Sequence, residues 1–313
     1  MVKFIEPLSD SVKRMSRALF KPFDIKKWFI VGFTAFLAGM MDCTGSKSSF
    51  DNNRGNFTAE DFFNFPYEAK LWLAENPLWA VLIFIGIFLI FILIIVLTYL
   101  SSRGKFMFLD NVVNDAAEVS APWSEYQREA NWLFLWRFAF GMGLLIFFSL
   151  IIYIGFNTAF NIYQTADSIE PYIPAIIISL LILLPVFIIF GYIDCFLENF
   201  IVPIMYKQRV SAVAAWRNFL ALFARNLGYF LLFGIIKFLL DVCVIICVVV
   251  LGLLTCCVGF IVLLIPYINS VILLPISYTF RAFGVEFIEQ FGDEYKIFSE
   301  IRDEETINPD VSF

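Results

Sequence analysis

The sequence predicts an all-α fold: a polytopic transmembrane helical bundle of six spans, with amphipathic interfacial helices on the cytoplasmic side. Three observations predict it. Of 313 residues, 60% are hydrophobic and 16% charged, where a soluble domain carries about 45–50% and about 25%. The apolar residues gather in blocks of roughly 20, the length a helix needs to cross a hydrocarbon core. Lys and Arg then fall mainly between alternate pairs of blocks, as positive-inside sorting requires. A water-soluble enzyme, a disordered chain and a disulfide-stapled secreted domain all fit these numbers poorly.

Residues 1–27 read as an interfacial helix, not a cleavable signal peptide, since the first long apolar block begins only at Trp28. Phe4, Leu8, Val12, Met15 and Leu19 recur at helical spacing among Lys13, Arg14, Arg17 and Lys21. Such a stretch is expected on the membrane surface with its cations at anionic headgroups, or packed on the protein's own cytoplasmic segments. The six spans are 28–41, 78–100, 133–156, 172–193, 229–251 and 260–280, making 28–280 the membrane domain. The first span is short, a rise of about 21 Å against a core of about 30 Å. Charge decides for it. With six spans and an inside N-terminus, 17 of the 22 Lys and Arg are cytoplasmic and 3 external, whereas dropping the first span exports the basic N-terminus. The external loop 42–77 is acidic and contains the sequon Asn56-Phe57-Thr58. The segment 281–313 is expected as an acidic, exposed cytoplasmic tail.

Between the spans, Ser124 and Gln127 have capping-box spacing. Val210–Arg225 reads as a surface helix with Trp216, Phe219 and Phe223 on its apolar side. Its Arg217, with Lys207 and Arg209, is expected at lipid phosphates. Each hairpin follows an interfacial segment, giving a unit near 100 residues. Phe4-Ile5-Glu6-Pro7-Leu8 resembles Phe200-Ile201-Val202-Pro203-Ile204, although short apolar matches also arise from composition.

Ionisable groups inside a membrane need a partner, a wet cavity or a function. Lys237 and Asp241 are neighbours on one helix face, roughly 12 and 18 Å deep. The short hairpin at Gly252–Gly259 brings Asn269 and Ser270 to similar depth, bracketed by Pro266 and Pro275. These four form a candidate midplane cluster, either an ion pair fixing the hairpin or a relay. A second pairing is expected at the inner boundary, between Arg137 and the acids Asp194 and Glu198. The net charge of −6 argues against nucleic-acid binding, and histidine is absent. The cysteines form no CxxC pair, and HExxH and GxSxG are missing. No metal, cofactor or catalytic residue is therefore expected.

Two segments carry a resemblance. Ser101-Ser102-Arg103-Gly104-Lys105-Phe106-Met107-Phe108-Leu109-Asp110-Asn111-Val112-Val113 is the first. The second is Phe196-Leu197-Glu198-Asn199-Phe200-Ile201-Val202-Pro203-Ile204-Met205-Tyr206, followed by Ala215-Trp216-Arg217. They resemble uncharacterised prokaryotic six-span proteins related to the membrane domain fused to some glycerophosphodiester phosphodiesterases. The resemblance implies a six-span cell (inner) membrane protein without the soluble phosphodiesterase domain, and no catalytic residue is carried over. The expected role is a non-catalytic component organising lipid, or a membrane complex through a protein partner at its cytoplasmic segments. The alternative is a transporter or permease-like protein for ions or amphiphiles built on the midplane cluster.

Overall fold

The computed structural model describes residues 2–41, 59–165, 172–255 and 258–298. The chain is all-α, with no strand among the described residues. In order, the helices are α1 (Ile5–Phe20), α2 (Ile25–Gly39), α3 (Ala59–Glu75), α4 (Pro77–Val113), α5 (Ser120–Glu125), α6 (Gln127–Thr165) and α7 (Tyr172–Phe196). A π-helical turn, Leu197–Ile201, joins α7 to α8 (Val202–Gln208). Then come α9 (Ala212–Arg225), α10 (Leu227–Leu254), α11 (Val258–Leu263), α12 (Pro266–Ile272) and α13 (Leu274–Ile288). The sequon at Asn56, the loop up to Thr58, Cys43, Cys256, Cys257 and the tail beyond Phe298 lie outside the described residues.

Four stretches are long and apolar enough to cross a membrane: Pro77–Val113, Gln127–Gln164, Ile177–Gln208 and Leu227–Leu254. They contain the predicted spans 78–100, 133–156 and 229–251 and overlap 172–193 from residue 177 on, and make this a multi-pass membrane protein. The other two predicted spans depart from single long helices. The 15 residues of α2 rise only about 22 Å. The segment 260–280 is broken. Pro266 and Pro275 sit in the first turns of α12 and α13, where a missing N–H costs nothing, and the two helices meet at 66°. A bent pair of this kind adds a fifth candidate span.

The chain divides into two compact units. One holds Cys43–Thr98 and Phe138–Phe187. Its stretches of α4, α6 and α7 are apolar all round, with side chains such as Phe84 and Leu181 uncovered by protein, the surface a hydrocarbon solvent covers. Within it Phe63 of α3 packs on Tyr163 of α6, ring centres 4.8 Å apart.

The other unit holds Met1–Asp42, Tyr99–Arg137 and Ile188–Phe313. Its centre is a phenylalanine cluster. Phe233 of α10 packs on Phe200, Phe283 and Phe287 with ring centres 4.6–4.9 Å apart. Phe219 of α9 is fully buried beside them, as the apolar side of that helix requires. Around this core α2 lies antiparallel to residues 101–115. The Ser101 hydroxyl donates to Ala38 O at 2.8 Å, and Lys27 meets Asp115 at 2.9 Å. Gly104 makes the approach possible, because a Cβ there would strike the backbone of Leu37 and Ala38. On its other side α2 receives α12, where Tyr267 packs among Phe29, Phe33 and Phe36 and donates to Phe29 O.

Three expectations are corrected here. The Ser124 hydroxyl bonds back to Ser120 O and Ala121 O, closing α5, so it does not cap α6. The stretch 101–113 is not an element separate from the span before it: α4 continues through it, buried throughout. The start of the acidic tail is also packed, with Tyr295, Ile297 and Phe298 buried.

Candidate functional site

The best-defined polar constellation sits where α4, the π-helical turn and α13 meet. A π turn carries one extra residue per hydrogen-bonded loop and is frequent at functional positions. Here it presents Glu198 by both backbone and side chain. Arg281 of α13 donates Nη1 to Glu198 O and Nη2 to Glu198 Oε1, each at 2.7 Å. Lys105 of α4 places Nζ 3.3 Å from the same Oε1. The Lys105 and Arg281 side chains are 1% and 3% exposed, while Glu198 is 35% exposed. The cations are thus deeper than the carboxylate they share. Gly284 lets α13 close on Asn199, whose Nδ2 donates to Cys195 O at 2.8 Å.

A second network ties α4 to α8 and to the α5–α6 junction. The Tyr206 hydroxyl donates to Asp110 Oδ1 and Asn114 Nδ2 donates to the same oxygen, both at 2.9 Å. Tyr206 stacks on Tyr126 at 4.7 Å. Burial pushes the Tyr126 hydroxyl above the ordinary phenol range, so it stays protonated. Arg209, in the left-handed conformation that ends α8, lies 4.0 Å above the Tyr126 ring and pairs with Glu125.

The sequence-predicted sites are partly assembled. Lys237 and Asp241 are joined at 2.5 Å, with Lys237 Nζ 4.0 Å above the Phe280 ring. Asn269 and Ser270 do not complete the cluster in the way expected. The break at Pro266 turns α12 onto α2, Ser270 bonds to Pro266 O within its own helix, and buried Asn269 Oδ1 has no hydrogen-bond partner among the described residues. At the inner boundary Glu198 is engaged by Lys105 and Arg281, and Arg137 donates Nη1 to Ser101 Oγ at 2.9 Å. Asp194 lies one turn before Glu198 and is exposed.

Of the expected headgroup cations, Arg14 and Arg209 are committed to protein partners. Arg14 meets Glu286 at 3.2 Å and stacks its guanidinium 3.6 Å above the Phe298 ring. Lys13, Arg17, Lys21 and Arg217 remain exposed and Lys207 half-buried. Reasoning from sequence overlooked Lys105 and Arg281 as partners. Their signal was available: each is a cation set in an otherwise largely apolar helical stretch.

Among the described residues no group of three or more His, Cys, Asp or Glu side chains is placed to hold a metal ion. What the arrangement does chemically is hold helices in register through charge-assisted hydrogen bonds. Residues 2–288 match the model of a family of unknown function, DUF7544. Neither a curated protein nor a solved structure matches the chain.

Proposed function

The chain belongs to the DUF7544 family, and from its own residues we propose that it is a non-catalytic membrane component that organises lipid or a membrane complex from its cytoplasmic side. The observation that carries this reading is the Lys105–Glu198–Arg281 cluster. Its cations are nearly inaccessible and bonded to one carboxylate at the junction of three elements, an arrangement suited to fastening helices. The likeness of residues 101–113 and 196–206 to the six-span relatives of phosphodiesterase-linked membrane domains supports the same reading, because both segments supply this cluster.

The topology proposed with it has six crossings in a cell (inner) membrane and both termini cytoplasmic. The sorting of Lys and Arg supports it, with α2 and α12 as short elements packed on each other. In a cysteine-free background, Lys13→Cys and Lys296→Cys should react with an impermeant maleimide only after the membrane is opened. Labelling of one of them on intact cells would overturn this topology.

A transport reading is favoured by a different observation. Asp241 is 45% exposed on α10, and a charge at that depth is costly without a role. On the proposed reading Lys237→Met and Asp241→Asn each lower stability in detergent by about 1–2 kcal/mol, the exposure of Asp241 discounting the cost. The double variant should recover to within about 0.5 kcal/mol of the parent. If instead Asp241→Asn abolishes solute uptake in proteoliposomes with stability unchanged, the chain is a transporter.

A further inference from the structure

Between α1, the end of α4 and α13 lies a cavity of about 430 Å³, within the roughly 300–1,000 Å³ range of small-molecule sites. Its α1 wall carries Lys13, Arg14 and Arg17. Three carboxylates line it as well, and each is already matched. Glu286 takes Arg14 at 3.2 Å, Asp10 takes Lys13 at 2.9 Å, and Asp115 takes Lys27 at 2.9 Å. Arg17 is the cation left over: among the described residues no carboxylate pairs with it. Arg14 has capacity to spare too. Its guanidinium is fixed between Phe298 and Glu286, yet its Nε–H is buried without an acceptor among the described residues.

The same helix shows where an occupant would come from. One face of α1 is buried through Pro7, Ser11, Ala18 and Leu19. On one flank of that face Ile5, Val12 and Phe20 are 82%, 45% and 47% exposed. On the other flank lie Lys13, Arg17 and Arg14. An apolar strip beside a cationic strip is the pattern of a helix lying in a membrane interface, acyl chains on one side and headgroups on the other.

We propose that this cavity binds a phosphate group, with Arg17 as the principal cation and Arg14 supporting it, and that a glycerophospholipid headgroup is the source. Guanidinium groups pair with phosphate through two parallel N–H···O bonds, which a surplus arginine beside an unfilled polar cavity is able to supply. The inference rests on the reading of the chain as a lipid-organising membrane component. It fails separately, because topology is read by labelling and this site by binding.

The test uses the purified full-length chain in a non-ionic detergent, with the thermal unfolding midpoint as readout. Dihexanoyl phosphatidylglycerol should raise the midpoint saturably, and dihexanoylglycerol, which lacks phosphate, should not. Arg17→Gln should weaken the apparent affinity by about tenfold or more, Arg17→Lys by less, and Arg128→Gln, at an exposed position on α6, should leave it unchanged. An Arg17-dependent shift with the phospholipid alone supports a lipid source. An equal Arg17-dependent shift with inorganic phosphate supports the phosphate site and replaces the lipid with a free anion. A shift that Arg17→Gln leaves intact, or that Arg128→Gln weakens equally, overturns the proposal.

Discussion

Glu198→Gln should lower the stability of the purified chain by about 3–5 kcal/mol, the cost of removing one partner from a buried charge pair. The reason is that two buried cations share one carboxylate. With it gone, Lys105 and Arg281, 1% and 3% exposed, lose the acceptor that holds them together. Lys105→Met should cost far less, about 1–2 kcal/mol, because Arg281 keeps both of its 2.7 Å bonds to Glu198. Arg281→Met falls between, since it removes the bond to the π-turn carbonyl but leaves Lys105 beside the carboxylate. Denaturant titration in mixed micelles measures all three. Equal losses for Glu198→Gln and Lys105→Met would sink the argument from the shared carboxylate.

The second large effect lies at Gly104. Its missing side chain is where the α2 backbone passes, so Gly104→Val forces Leu37 and Ala38 away from α4. Overpacking of this kind costs about 1–3 kcal/mol when side chains can yield. Two helix backbones yield less easily, which puts the expected loss at the upper end. The displacement should also break the bond from Ser101 to Ala38 O and with it the support of Arg137. Limited proteolysis should then cut between α1 and α2 faster than in the parent chain. Unchanged protease resistance and stability would show that α2 is not held there.

Sequence reasoning reached the helical class and four of the long apolar helices, because a run of 20 apolar residues has few other readings. It also placed Phe219 and Trp216 correctly, since their spacing on α9 defines one face. It paired Lys237 with Asp241, because an i, i+4 contact is local. What it could not reach was non-local. The partners of Glu198 come from residues 93 and 83 positions away, and spacing along one helix carries no information about such distances. The fate of Arg14 was hidden for the same reason: its partners Glu286 and Phe298 fall in a segment whose acidic composition reads as solvated. The prolines at 266 and 275 did mark a weakened helix, but not the direction of the bend that takes Asn269 and Ser270 to α2.

The docking of α1 on α13 has a consequence for biosynthesis. The first turn of the chain is tied to nearly the last described helix, through Lys3 with Gln290 and Phe4 with Phe287. A ribosome adding about 5–20 residues per second makes the two ends roughly 15–60 s apart. During that interval the nascent N-terminus carries an unsatisfied greasy flank, and the bilayer surface is the nearest place to rest it. A chain stopped short of α13 would keep its leading helix parked on lipid and never close its aromatic centre.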